Sequence, residues 1–303
     1  MSLEIQQIIN SSFGVSLVSA LGRGIPTWLG HRLSNFVAEW ISAQRNSKVV
    51  RAVRANQWVI SGENLEKAAL DEAVCQTFRN AARSIFDLYH YIHDAAAIDR
   101  LIVMDQSIQQ LFERREFAKR GLVVAGLHLS SFDFVLQALH LRGLRLMALT
   151  IPDPRGGRRV EFEMRKKTGM NLMPASVNTL RQALKHLQRG GVVLTGIDRP
   201  IPDVKYRPRF FGRPASLPTH HVYLATRAQV PVIIMVTNLQ ADGRYTVISS
   251  HPIEMESHPD RQLEMLRNAE KVLSIAETFI CKVPHQWTIS LPVWPEALEQ
   301  VPD

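Results

Sequence analysis

Gly121-Leu-Val-Val-Ala-Gly126 runs directly into Leu127-His128-Leu129-Ser130-Ser131-Phe132-Asp133. The first six residues are a short β-branched run bounded by glycines, and such a run reads as a strand buried on both faces. Phe132 to Leu141 then reads as helix. A histidine just past the carboxyl end of a parallel strand projects into the crevice where open α/β sheets bind ligands. The five-residue step to Asp133 lets the helix turn back toward the ring. Its carboxylate can then hold one imidazole nitrogen, leaving the other to face a substrate as a general base.

The alternation continues downstream. Leu144 to Leu149, Val192 to Ile197, Val230 to Val236 and Tyr245 to Ser250 read as further strands, the last two joined at Ala241-Asp242-Gly243. Thr179 to Leu187, Leu217 to Ala228 and Gln262 to Cys281 carry helical periodicity, the first stopping at Gly190-Gly191. Strands alternating with helices specify an α/β fold: a mixed, largely parallel central sheet surrounded by helices, assigned here to residues 116–303.

Upstream the pattern is helical, and residues 1–115 are expected as a helical N-terminal region packed on that sheet. In Thr27 to Arg45 the apolar residues Leu29, Leu33, Phe36, Val37, Trp40 and Ile41 fall on one helical stripe. Most such stripes face a core, which is the expectation here. Trp28 and Trp40, near the helix ends, give the alternative of a lipid interface. Lys48 to Ile60 is a basic helix bearing Arg51 and Arg54 and broken by Ser61-Gly62. Leu70, Val74, Phe78, Ala81, Ile85, Leu88 and Ile92 mark a long one. The start of the chain carries Glu4 and no basic stretch, so a signal peptide is not expected. Arg23 and Pro26 interrupt the apolar run from Phe13 to Gly30, which is not expected to span a bilayer.

The 303 residues are 46% hydrophobic and 21% charged, which excludes a disordered chain. The 2 cysteines, Cys75 and Cys281, are too few for a disulfide framework or a thiolate zinc cluster. A net charge of +8 suits anionic partners: nucleic acid, an anionic membrane surface or a phosphorylated substrate. No nucleic-acid-binding motif is evident and the arginines are spread over several elements, so nucleic acid is not expected.

Taken alone, the His128–Asp133 spacing is a weak signal. With 11 histidines in the chain, random placement gives roughly 0.4 pairs of this kind. Ser130-x-x-Asp133 also reads as a capping box that merely starts the helix. His251 and Glu256 share the spacing but open no clear helix, and are set aside as a decoy. His220 and His221 point about 100° apart on a helix. His90 and His93 lack a third ligand. No metal site and no cofactor are therefore expected.

Several other stretches stand in a telling order: Arg51-Ala-Val-Arg-Ala-Asn56, Phe78-Arg-Asn-Ala-Ala-Arg83, Gly121 to His128 with Asp133, and Arg165 with Gly169. Gly190-Gly-Val-Val-Leu-Thr-Gly-Ile-Asp198, Arg209-Phe-Phe-Gly-Arg-Pro-Ala-Ser216, Leu224-Ala225, Val230-Pro-Val-Ile233, Trp287 and Trp294-Pro295 follow. From about Lys48 to Pro295 the chain resembles the bacterial lipid A biosynthesis acyltransferases, within the lysophospholipid acyltransferase superfamily. The resemblance implies a glycerolipid acyltransferase-like fold. It also implies transfer of a fatty acyl group from a thioester, on acyl-carrier protein or coenzyme A, to a hydroxyl of a membrane glycolipid or lysophospholipid. Carried over by position, His128 and Asp133 are the catalytic pair. Arg165 falls where the family has an arginine near the active site, and Asp198 matches its acidic residue at the end of a later strand. The family usually shows glycine, asparagine, tryptophan and glutamate where this chain has Ser130, Ser131, Phe132 and Asp133. The resemblance thus implies acyl transfer without naming the acceptor.

The loop from Arg199 to Arg213 carries Arg199, Lys205, Arg207, Arg209 and Arg213, stiffened by Pro200, Pro202 and Pro208 and by Pro214 just after it. Arginine's planar fork suits phosphate. The loop, with Phe211 and Gly212, is expected on the substrate side, binding an acceptor phosphate or an acidic carrier. Phe210-Phe211 is expected to anchor it to the core. The implied place of work is peripheral, on the cytoplasmic face of the cell membrane. A nonenzymatic lipid- or phosphate-binding protein and an acyl thioesterase are the alternatives. Intact His128 and Asp133 argue against the first.

Overall fold

A computed structural model describes residues 24–113, 120–143, 146–150, 162–163, 166, 169–202 and 204–302. The readings of residues 1–23 and of Arg165 fall outside these. The N-terminal part supplies α1 (Thr27–Ser42), α2 (Lys48–Ile60), α3 (Lys67–Tyr91), α4 (Ala95–Leu101), β1 (Ile102–Met104) and α5 (Gln106–Glu113). The alternating part continues with β2 (Leu122–Gly126), α6 (Phe132–Leu141), β3 (Leu146–Thr150), β4 (Asn171–Pro174), α7 (Val177–Gln188) and β5 (Val192–Gly196). A hairpin of β6 (Arg209–Phe210) and β7 (Arg213–Pro214) precedes α8 (His220–Ala228), β8 (Val232–Leu239), β9 (Tyr245–Ser249) and α9 (Arg261–Lys282). Side chains start four of the helices: Ser47, Asp94, Ser176 and Asp260 accept first-turn N–H groups of α2, α4, α7 and α9.

Seven strands form one sheet in the order β1-β9-β8-β2-β5-β3-β4. Only the β8–β9 pair is antiparallel, so the sheet is mixed and largely parallel, as expected. β2 is the middle strand. Leu122 and Val124 pack with Phe134, Val135 and Leu139 of α6. Val123 and Ala125 pack with Ala183 and Leu187 of α7 and Val272, Ala276 and Ile280 of α9. Cover on both faces is why this strand reads as an unbroken apolar run. Val59, Ile60 and Leu70 of α2 and α3 join the second of these clusters.

α1 corrects an expectation. Its small residues Gly30 and Ala38 are buried, while Trp28 (61% exposed), Leu33, Phe36 (68%), Val37 and Trp40 face outward. It lies antiparallel to α3. The hydroxyls of Thr27 and Tyr91 bond at 2.9 Å, His31 Nε2 meets Asp87 at 2.7 Å, and Arg79 donates to Glu39 at 2.6 Å. A Cβ at Gly30 would stand 2.0 Å from the Phe86 ring. The close fit to α3 is thus made by the side without bulk, and the apolar stripe is left outside. Arg54, by contrast, is buried and paired with Asp71.

α8 starts at His220, three residues later than its periodicity suggests, because Pro218 interrupts the approach. His221 is then 1% exposed. Burial, followed by the neighbouring His220, pushes its pKa from 6.5 down to about 3. A histidine held neutral by the fold protonates more readily once unfolded. Its contribution to stability is therefore complete above pH 6.5 and erodes as the pH falls toward about 3. By about pH 5 the loss should reach about 2 kcal/mol. His221→Gln, which takes up no proton, should flatten the decline of Tm between pH 7 and 5. A variant that keeps the parent's slope would place the acid sensitivity elsewhere.

Candidate active site

Parallel pairing fixes the register at the carboxyl ends of β2 and β5. Gly126 lies opposite Gly196, and two residues further on the chain delivers His128 from one strand and Asp198 from the other. Asp198 Oδ1 lies 2.7 Å from His128 Nδ1, and Oδ2 accepts the backbone N–H of His128, also at 2.7 Å. A third donor comes from the end of the chain, where the indole N–H of Trp287 reaches Oδ2 at 2.9 Å. Leu129 bridges antiparallel to Trp287. Around that bridge Ser130 N donates to the Gln286 carbonyl at 2.7 Å, and Thr288 N to that of His128 at 3.0 Å. This short ladder carries the indole to the carboxylate.

Asp198 is fully buried. Burial acts to raise its pKa. The charge and hydrogen bond of the His128 ring, the Trp287 indole and the His128 backbone N–H outweigh it and hold the carboxyl below its usual range. An ionised carboxylate can only accept, so Nδ1 carries a ring proton, and in the neutral ring Nε2 presents its lone pair. The His128 side chain is 27% exposed. Gly196 makes room for it, since a Cβ there would stand 3.3 Å from Cε1. The Phe132 ring lies 5.2 Å away, centroid to centroid.

The nitrogen that local spacing assigns to Asp133 is thus bonded to Asp198, which stands 70 residues beyond the histidine in sequence. Asp133 sits half-buried in the first turn of α6. The Ser130 hydroxyl does not cap the helix: Ser131 is the N-cap, and its own side chain makes no cap hydrogen bond. Ser130 has φ 52°, in the left-handed region, and its buried hydroxyl has no partner. Strain of this kind gathers at functional positions. It also explains why glycine suits this place in the resembling family. The decoy stays a decoy, as the Glu256 carboxylate pairs with Lys271.

The cationic loop divides. Arg213 is structural, paired with Glu63 at 2.5 Å and lying over the Trp58 ring. Arg207 and Arg209 are exposed, and among the described residues their side chains donate to the loop carbonyls of Pro214 and Gly212. Arg199 is half-buried beside Asp198. Phe210 is fully buried and stacks on Trp294 at 5.6 Å, the anchor expected of it. Phe211 (φ 49°) and Gly212 (φ 73°) make the turn of the β6–β7 hairpin.

The sequence model of the bacterial lipid A biosynthesis acyltransferases matches residues 2–295. The chain belongs to this family. It is therefore an acyltransferase of lipid biosynthesis, acting with an acyl donor and a lipid acceptor. No curated protein matches it. Among solved structures, the 1-acyl-sn-glycerophosphate (LPA) acyltransferase PlsC from Thermotoga maritima aligns at 16% identity. The alignment covers 82% of this chain and 97% of that one, with a TM-score of 0.37.

Asp198→Asn tests the acyltransferase at its most buried charge. An amide cannot accept from all three donors, and an unsatisfied buried N–H costs about 1–3 kcal/mol. Loss of the charge also removes support for the imidazolium. We expect a lower Tm and a fall in turnover of about 10²-fold or more. Turnover equal to the parent's would remove Asp198 from the catalytic arrangement.

Proposed function

We propose that this acyltransferase moves a fatty acyl group from a thioester to a hydroxyl of a membrane glycolipid or lysophospholipid, with His128 as general base. One observation carries the reading. At the carboxyl end of the middle strand an imidazole is held by Nδ1, so Nε2 is set to take a proton. A lipid hydroxyl is a poor nucleophile at neutral pH. Nε2 removes its proton as the oxygen attacks the thioester carbonyl, and a new C–O bond forms. The tetrahedral oxyanion then collapses, the C–S bond breaks, and the imidazolium returns the proton to the departing thiolate. The first N–H groups of α6, to which the N-cap Ser131 side chain makes no bond, are the proposed donors for the oxyanion. Asp133, in the same turn, belongs to the catalytic pair that the family resemblance implies. Arg165, Asp198, Arg199, Arg207, Arg209, Phe211 and Gly212 are the proposed substrate-side residues. The cations among them suit the phosphates of coenzyme A or the acidic surface of an acyl-carrier protein. Asp198 joins the two roles through its bond to the base.

The outward face of α1 supports peripheral attachment to a membrane. Leu33, Phe36, Val37 and Trp40 make an exposed apolar patch, and Arg32 lies 5.5 Å above the Trp28 ring. Aromatic and basic side chains together on one helix suit the interface of a bilayer with anionic lipids. Among the described residues no helix is long and apolar enough to cross a membrane. The cytoplasmic face is the side on which both candidate donors are found, and it is the proposed location.

Incubation with a labelled acyl thioester and total membrane lipid tests the reaction. Labelled lipid is the expected product, whereas free acid would make the protein a thioesterase and no turnover a binding protein. His128→Ala should lower transfer by about 10²–10⁴, and should also lower Tm without unfolding the protein, because Asp198 loses its Nδ1 donor. Full activity in that variant would end the mechanism. For the membrane, Phe36→Ser with Trp40→Ser should cut flotation with anionic vesicles by about 10-fold and leave Tm within a degree or so. Undiminished flotation would move the contact off α1.

A further inference from the structure

The Arg209–Ser216 block and the closing tryptophans stand far apart in the sequence, yet the fold packs Phe210, Trp287 and Trp294 into one aromatic cluster. Phe210 lies 6.0 Å from the Trp287 ring and stacks on Trp294, and the two tryptophans are 6.2 Å apart. The hairpin that carries Phe210 is pinned to α9, where Glu270 accepts the N–H of Arg209 and Glu277 that of Phe211. Trp287 and Trp294 are both buried, with 1% and 0% exposure. Their indole nitrogens differ. That of Trp287 is bonded to Asp198, whereas that of Trp294 has no partner among the described residues. A cluster built for packing alone gives no reason for that difference.

We infer that Trp287 is a positioning residue for the acyl-transfer reaction: its indole N–H fixes the Asp198 carboxylate, and through it the orientation and proton of His128. The inference rests on His128 being the base. Carboxylate torsions are soft and roughly two-fold, so a bond to Oδ1 alone would leave the group free to turn and exchange its oxygens. Two N–H donors on Oδ2, the His128 backbone and the indole, remove that freedom and leave Oδ1 for Nδ1. At 1% exposure Trp287 cannot reach a substrate. It acts only through the carboxylate. The hairpin and Trp294 in turn hold the indole in place.

The two tryptophans form their own control. Trp287→Phe and Trp294→Phe delete similar buried volume from one cluster, but only the first deletes a hydrogen bond to Asp198. We expect both to lower Tm. Trp287→Phe alone should lower kcat by about 10- to 100-fold, with KM within about twofold of the parent. It should also move the acid limb of the kcat/KM profile upward. With one donor lost, Asp198 becomes more basic and stabilises the imidazolium more strongly, so the base stays protonated to a higher pH. Asp133 on α6, Arg199 after β5 and His220 on α8 are unaltered in both variants. If Trp287→Phe does not fold, Trp287 is replaced by benzothienylalanine, an isostere with sulfur in place of the N–H, and the same shift is expected. A parent-like kcat and pH profile in a folded Trp287 variant would overturn the inference, as would equal shifts in the Trp294 variant. His128→Ala, measured alongside, separates the two levels. If it is active, the general-base reading fails. If it is inactive while the Trp287 variant behaves as the parent, only the positioning role fails.

Discussion

A single buried carboxylate ties together the parts of this molecule that are far apart in sequence. Asp198 lies two residues past β5, and its three donors come from His128, two residues past β2, and from the segment that follows α9. An ion buried this deeply is costly unless every lone pair is used, and removing one partner of such an arrangement is strongly destabilising. The hydrogen bonds that satisfy Asp198 are the ones that place His128, so sheet register, docking of the C-terminal segment and placement of the proposed base depend on the same contacts. The strain at Ser130 sits within the same few residues and is held by the Gln286 carbonyl. This is where a rigid scaffold can keep a conformation that a free chain would leave.

The opposite end of the molecule is governed by what is left unburied. An amphipathic helix normally lowers its free energy by covering its apolar stripe, at about 25 cal/mol per Å². α1 instead presses Gly30 and Ala38 against α3 and keeps Phe36 and Trp40 in solvent. Polar bonds along the seam, from Thr27, His31 and Glu39, hold that orientation. A helix anchored in this way leaves apolar surface in solvent, which is the surface the proposed bilayer contact would use.

Much of the sheet is legible in the sequence, and the reasons for the exceptions are physical. β2, β5 and β8 announce themselves as apolar runs because both their faces are covered. β1 and β4 do not, because they are edge strands of three and four residues whose pairing depends on distant partners. Periodicity on α1 identifies which residues share a face, but not whether that face turns in or out. For the site, His128 is legible because a strand end is a local feature. Its carboxylate partner is set by the Gly126–Gly196 register, a property of sheet pairing that no local spacing contains. Trp287 was visible only as part of the closing segment. Its link to the site depends on the bridge between Leu129 and Trp287, and a sequence offers no sign of that pairing.

The same device appears twice. Asp87, 2% exposed on α3, takes a hydrogen bond from the Tyr245 hydroxyl of β9, contacts His31 of α1 and lies 3.6 Å from Arg83. Burial, then the Asp87 charge and its hydrogen bond, push the Tyr245 phenol well above its usual range, so it remains a donor at any physiological pH. Asp87 thus fixes the outward-facing helix to the sheet much as Asp198 fixes the C-terminal segment to it. In each case a buried acid is satisfied only when a peripheral element is docked. Direction explains why this matters more than packing alone would. Apolar contacts tolerate small rotations of a helix or loop, whereas a carboxylate with several donors does not. The apolar face of α1 and the lone pair of His128 Nε2 both have to point a particular way to be of use. Both are aimed by bonds to a buried aspartate, while the apolar core supplies the bulk of the stability.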